Sequence, residues 1–76
     1  MTSEELILKA AFDHGWKVKK NPGIKAPYAG WWIRKGQNEV LFVVDALDGG
    51  MMFAETRNRT FEGRNEVLDY IKETRG

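Results

Sequence analysis

The absence of cysteine from a chain of only 76 residues is the feature that most constrains its fold. Disulfide bonds, thiolate metal sites, cysteine nucleophiles and thiol redox motifs are all excluded. The chain must therefore be held by an apolar core, which it either completes itself or shares with a partner. Hydrophobic residues make up 42% of the sequence and charged residues 30%, as in ordinary globular proteins. We predict one small domain over residues 1–76.

The chain opens with the signals of a helix, which ends at His14-Gly15-Trp16. Thr2 and Glu5 have the spacing of a capping box, in which each side chain accepts a backbone N–H at the helix start. Gly15 suits the left-handed position after the last turn, and Trp16 is placed to fold back onto that turn. Four apolar residues between these ends form a stripe at helical spacing: Ile7, Leu8, Ala11 and Phe12.

Two apolar segments surround Gly36-Gln37 and predict a β-hairpin. A two-residue loop there places Arg34 opposite Glu39, and this pair of opposite charges favours that register. The same register pairs the apolar residues of both strands: Ile33 with Val40, Trp32 with Leu41, and Trp31 with Phe42.

A second turn is predicted at Asp48-Gly49, a strong type I′ signal. It would point Glu55 and Arg57 toward the core side of the sheet, a conflict that a β-bulge would relieve. The turn sets three further pairs: Asp45 with Met52, Val44 with Phe53, and Val43 with Ala54.

Side chains alternate across a strand, so these registers divide the residues between two faces of a sheet. The predicted core face carries Trp31, Ile33, Val40, Phe42, Val44 and Phe53. The opposite face carries Trp32, Arg34, Glu39, Leu41, Val43, Asp45, Met52 and Ala54.

A second helix is predicted over residues 63–74, with an apolar stripe at Val67, Leu68 and Ile71. Residues 16–20 read as a short extended piece, and residues 21–29 as a loop rich in Pro and Gly. The expected fold is an α+β two-layer sandwich of order α-β-β-β(-β)-α. Its antiparallel meander has three or four strands, and both helices pack on one face of it.

The face without helices predicts an interaction surface, because its centre is apolar and its edges are charged. Trp and Arg are also the residue types that dominate binding hot spots. An open alternative is that the first helix, Trp16 or the loop at 21–29 covers this face internally. If it stays open, we expect a non-enzymatic protein-binding module, an adaptor or an inhibitor of a larger protein, whose partner is another protein or a homodimer mate. The predicted binding residues are Trp32, Arg34, Glu39, Leu41, Val43 and Met52.

Charge is unevenly distributed along the chain although the net charge is only +1. Residues 14–36 hold six basic residues and no acidic one, and residues 39–55 hold four acidic residues and no basic one. Basic and aromatic residues alternate within 16–35, which suggests an alternative function in binding single-stranded or structured RNA or DNA. The residues assigned to that alternative are Lys17, Lys19, Lys20, Lys25, Lys35, Arg57 and Arg59.

The sequence supplies little for catalysis, because it has one histidine, one serine and scattered carboxylates. Asp45 and Asp48 lack the ligand spacing of a calcium loop, and no glycine-rich phosphate loop follows a strand. We therefore expect no enzyme activity, no cofactor, no metal site and no catalytic residue.

The apolar run at residues 40–44 is too short to span a bilayer, and residues 1–5 are acidic where a secretory signal would be basic. We expect a cytoplasmic protein without a membrane partner. The small size is also compatible with an accessory protein of a phage or mobile element.

The order of elements resembles that of the double-stranded RNA-binding domain. Ser3-Glu4-Glu5-Leu6 with His14-Gly15-Trp16 is similar to the start of bacterial HicA-type toxins, which cleave messenger RNA on that topology. The basic cluster that begins the last helix of the RNA-binding domain has no counterpart at 61–65, and the toxins' early-strand histidine has none at 17–29. These resemblances therefore imply a topology and no ribonuclease activity.

Overall fold

The structure is a computed structural model that describes residues 1–75. Over these residues the elements are helix α1 (Ser3–Asp13), strands β1 (Lys17–Asn21), β2 (Tyr28–Lys35), β3 (Asn38–Asp45), β4 (Met51–Glu55) and β5 (Thr60–Phe61), and helix α2 (Arg64–Glu73). The strands form one antiparallel sheet in the order β1-β2-β3-β4-β5. The predicted α+β sandwich with a meander is confirmed, with five strands in the described part of the chain rather than three or four.

Both ends of α1 follow the signals in the sequence. Thr2 and Glu5 form the predicted capping box. Beyond the helix, the Trp16 N–H donates to the Ala11 carbonyl at 2.8 Å and the Gly15 N–H donates to the Phe12 carbonyl at 3.2 Å. These two bonds form a Schellman motif around Gly15, whose φ is +81°.

The predicted stripe of α1 needs one correction. Ile7 and Ala11, one helical turn apart, are fully buried, and they define the side that faces the core. Phe12 follows Ala11 by one residue, which is a rotation of about 100° around the helix axis. Its side chain therefore points away from the core and is 80% exposed. Its apolar side chain was wrongly assigned to the core.

The β2–β3 hairpin has the predicted register, with Arg34 opposite Glu39 and Trp32 opposite Leu41 across the loop at Gly36-Gln37. The extended piece after α1 is β1, and it pairs Lys19 with Trp32. Because this part of the sheet is built by local pairing, its two faces are as predicted.

The predicted β3–β4 register is wrong. The turn is a five-residue connection over residues 46–50 rather than a two-residue turn, and a bulge interrupts the ladder between Val43 and Val44. Val44 pairs with Met51 and Val43 pairs with Phe53.

The bulge moves four residues away from their predicted places. Phe53 lies on the face opposite the core, Ala54 is fully buried in the core, and Glu55 lies opposite Leu41 on the outer face. Met52 falls in the bulge, is 53% exposed, and does not pair with Asp45. The conflict that the predicted register created for Glu55 is thereby removed, as expected for a bulge.

Helices α1 and α2 cover the same face of the sheet. Strand β5, which the sequence did not predict, brings Phe61 to within 5.3 Å of the Tyr70 ring of α2, measured between ring centroids.

No helix within residues 1–75 has the length and apolar character needed to cross a membrane. The core is formed by Ile7, Ala11, Trp16, Ile33, Val40, Phe42, Val44, Ala54, Phe61, Val67 and Ile71.

Candidate protein-binding face

The side of the sheet opposite α1 and α2 is called the open face. Residues paired across an antiparallel ladder project to the same side, so the register defines its members. They are Lys17, Lys19 and Asn21 of β1; Tyr28, Gly30, Trp32 and Arg34 of β2; Glu39, Leu41, Val43 and Asp45 of β3; Phe53 and Glu55 of β4; and Thr60 of β5.

The centre of the open face is a row of four residues on β1–β4, here called the central row, which Thr60 of β5 continues beyond Glu55. Lys19 lies opposite Trp32, Trp32 opposite Leu41, and Leu41 opposite Glu55. Trp32 and Leu41 are partly buried by their neighbours. The row therefore places an apolar pair between a basic residue at one end and an acidic residue at the other.

A second, apolar row lies beside the central one. Val43 is only 4% exposed, whereas its partner Phe53 is 40% exposed. At Gly30, on the other side of Val43, the space above the backbone is occupied by the side chain of Ile24, with which any side chain at position 30 would collide. The loop over residues 22–27 thus fills one corner of the open face and leaves Trp32, Leu41 and Phe53 at least partly accessible.

A shallow cleft of about 690 Å³ runs along the end of the open face that is nearest the β2–β3 turn. Trp32, Leu41 and Tyr70 of α2 contribute its apolar surface, and residues 56–58 of the turn after β4 also line it. Its polar rim includes Arg34, Glu39 and Glu55.

The charges of the open face are separated into two sides. Basic residues occupy β1 and β2, at Lys17, Lys19 and Arg34, and acidic residues occupy β3 and β4, at Glu39, Asp45 and Glu55. The ion pairs within residues 1–75 are Lys9–Asp13 and Arg59–Glu66, so none of these six charged side chains has an intramolecular ion-pair partner. The open face therefore presents unpaired charges of both signs.

Five of the residues predicted for protein binding lie on the open face: Trp32, Arg34, Glu39, Leu41 and Val43. Met52 lies in the bulge beside it. Sequence reasoning missed Phe53, Glu55 and Ile24, since the first two depend on the bulge and the third on the way the loop before β2 folds back over Gly30. The one available signal was the conflict at Glu55, which already indicated a bulge.

The residues assigned to nucleic-acid binding are not gathered on one surface. Lys17 and Lys19 lie on the open face of β1, but Lys20 lies on the other face, with its Nζ 5.8 Å from the centre of the Trp31 ring. Lys35 also lies on the face that the helices cover, where its Nζ donates to the Thr74 carbonyl at 3.2 Å.

The remaining three basic residues are dispersed further. Lys25 lies in the loop before β2. Arg57 and Arg59 lie in the turn between β4 and β5, and the Arg59 guanidinium is engaged by Glu66 at 2.8 Å and by the Phe61 ring. Strands β1 and β5 are four strand spacings apart, which is about 19 Å.

The described part of the chain brings no three of its His, Cys, Asp and Glu side chains together as a metal site. His14 caps the end of α1 and is exposed.

Comparisons with protein-family models, with curated proteins and with solved structures find no match to this chain. Function is therefore inferred from the residues of the open face.

Proposed function

We propose that this protein is a non-enzymatic protein-binding module that engages another polypeptide through the open face, as an adaptor or an inhibitor of a larger protein does. The observation that carries the proposal is the central row, in which Trp32 and Leu41 are flanked by the unpaired charges of Lys19 and Glu55. An apolar centre inside a polar rim is the usual anatomy of a protein interface.

The energetic argument concerns the apolar side chains. Trp32 and Leu41 are partly buried and Phe53 is 40% exposed, so each can lose further water-accessible area on contact with a partner. Burial of apolar surface contributes about 25 cal/mol per Å², and aromatic side chains carry much of the binding energy at interface centres. The sheet holds these side chains in place, which lowers the entropic cost of binding.

The test has two steps. The purified parent protein first captures a binding partner from a cell lysate, and the affinity of that partner for the parent and for each variant is then measured. Trp32→Ala removes the centre of the face, and Leu47→Ala is a matched control because Leu47 is 91% exposed in the loop after β3. A partner retained by the parent protein is identified, purified and titrated against each variant. We expect Trp32→Ala to weaken its binding about 30-fold or more, the effect of a hot-spot residue, and Leu47→Ala to leave it unchanged. Equal affinity for the parent and Trp32→Ala would contradict the proposal.

Nucleic-acid binding by residues 16–35 has less support, because the basic residues divide between both faces and both edges of the sheet. Glu39 and Glu55 also lie on the same face as Lys17 and Lys19, where they would repel a phosphate backbone. The cytoplasmic location proposed with this function rests on the sequence alone.

A further inference from the structure

We infer that the open face binds the same face of a second copy of this chain, so that the protein forms a two-fold symmetric homodimer. The inference rests on the proposed function, because it names a partner for the same surface. Its basis is charge complementarity, since the unpaired basic and acidic residues of the open face occupy opposite sides of the sheet.

The central row is self-complementary about a two-fold axis that runs parallel to the strands between β2 and β3. Such an axis places β1 of one copy over β4 of the other, and β2 over β3. Lys19 then faces Glu55 of the second copy, and Trp32 faces Leu41 of the second copy. Each interaction occurs twice, so the interface has an apolar centre between two pairs of opposite charges.

The neighbouring row toward the β2–β3 turn agrees with the same axis. Arg34 on β2 faces Glu39 on β3 of the second copy, which adds a further pair of opposite charges. On the other side of the central row, Ile24 above Gly30 lies over Val43 of the second copy, and Asn21 lies over its Phe53; because Val43 is already only 4% exposed, this row adds little apolar burial and no like-charge contact.

Sheet twist does not separate the charged pairs. Packed sheets lie about 10 Å apart and cross at about 30° when their strands are aligned. Strands β1 and β4 lie about 7 Å from the proposed axis, so this crossing shifts Lys19 relative to Glu55 of the second copy by about 4 Å. The flexible four-carbon stem of a lysine spans such a displacement.

The charges also select the orientation of the second copy. A two-fold axis perpendicular to the strands and through the central row would set Lys19 over Lys19 and Glu55 over Glu55. Like charges placed against each other at an interface are unfavourable. The face is therefore complementary to itself with the axis along the strands and repulsive with the axis across them.

The size of the face indicates a weak dimer. Four strands and the length of β2 give about 500 Å² per copy, below the roughly 800 Å² per partner of a standard stable interface. We expect a dissociation constant of roughly tens of micromolar, and this constant should rise as added salt screens the charged pairs.

The experiment measures self-association of the full chain by sedimentation equilibrium, from about 5 μM to about 500 μM, a range that spans the expected dissociation constant. Lys19→Glu and Glu55→Lys each place like charges together twice, so each should weaken the homodimer about tenfold or more. An equimolar mixture of the two variants should dimerise like the parent, because both charged pairs are opposite in the mixed dimer. The double variant Lys19→Glu/Glu55→Lys should also self-associate.

Lys72→Glu and Glu73→Lys, both exposed on α2, are the controls with the same changes in net charge and should leave the dimer unchanged. Circular dichroism of every variant checks that the fold is kept. The inference is overturned if the parent stays monomeric at the highest concentration, or if the mixture associates no better than either single variant. A monomeric parent that still captures another protein through Trp32 would overturn the homodimer alone. Trp32→Ala without effect on either kind of binding would overturn the proposed function as well.

Discussion

The indole Nε1–H of Trp16 donates a hydrogen bond to the backbone carbonyl of Ile71, at 3.1 Å and inside the core. The carbonyls in the last turn of a helix have no partner within the helix, and Ile71 lies in the last turn of α2. Trp16 follows directly on the end of α1, so this bond ties the ends of both helices together. The fold is thus closed by a contact between residues 55 positions apart.

Trp16→Phe should be among the most destabilising single substitutions in the protein. It leaves the Ile71 carbonyl without a partner and opens a cavity where the larger ring was, which together cost about 2–4 kcal/mol of the free energy of unfolding. Urea denaturation followed by circular dichroism measures the change. Trp32→Phe on the open face is the matched control and should cost less than about 1 kcal/mol, because Trp32 is only partly buried. Equal losses for both variants would contradict the role of Trp16.

A second prediction concerns Gly49, whose φ is +73° and whose carbonyl accepts the Glu4 N–H at 2.9 Å. A Cβ at this position would lie 2.6 Å from the Cβ of Thr2, the residue that caps α1. Gly49→Ala therefore combines an unfavourable backbone conformation with a collision, and should cost about 2–4 kcal/mol.

Gly15→Ala provides the comparison for Gly49→Ala. Its φ is +81°, but an added Cβ would meet no atom within 4 Å, so only the backbone cost of about 1–2 kcal/mol is expected. Thermal and urea denaturation of the two variants separate the cost of the backbone conformation from the cost of the collision with Thr2. Similar losses for both would show that the contact between Gly49 and Thr2 does not constrain the fold.

The contact between Gly49 and Thr2 shows why the β3–β4 connection was harder to predict from the sequence than the β2–β3 hairpin. The β2–β3 register follows from a two-residue loop and from neighbouring charges, which are local signals, and it placed Trp32 and Leu41 correctly on the sheet. The β3–β4 connection docks on α1 through Gly49, and this long-range contact has no signature in the pattern of apolar residues. The conflict at Glu55 indicated a bulge, but its position between Val43 and Val44, and with it the place of Phe53 on the open face, could not be derived from the sequence.

A third prediction concerns Gly30, where Ile24 occupies the space of the missing side chain. Gly30→Ala should push Ile24 and its loop away from the sheet, at a cost of about 1–3 kcal/mol. Ile24→Ala alone should cost less, because Ile24 is only partly buried. The double variant should be more stable than the sum of the single changes predicts, since the smaller side chain relieves the collision. Additive effects in a double-mutant cycle, measured by urea denaturation, would argue against the packing of Ile24 on Gly30.

The last prediction concerns nucleic acids. Lys17 and Lys19 lie on the open face, Lys20 lies on the opposite face, and Arg57 lies toward the far edge of the sheet. A phosphate backbone that follows one surface can therefore meet only part of the basic set, and it also meets Glu39 and Glu55. Because each neutralised phosphate adds to the salt dependence of binding, few contacts mean low affinity with a shallow salt slope.

We expect fluorescence anisotropy with labelled single-stranded and duplex oligonucleotides to show dissociation constants no tighter than about 100 μM at physiological salt, the weak end of non-specific binding. Lowering the salt from about 200 mM to about 50 mM should strengthen binding by less than about tenfold, against the roughly thousandfold change of a protein with six or more phosphate contacts. Lys19→Glu, compared with Lys72→Glu on α2, which changes the net charge by the same amount, shows whether residual binding uses the open face. Submicromolar affinity with a steep salt slope, lost in the first variant and kept in the second, would reverse the assignment of this face from protein to nucleic acid.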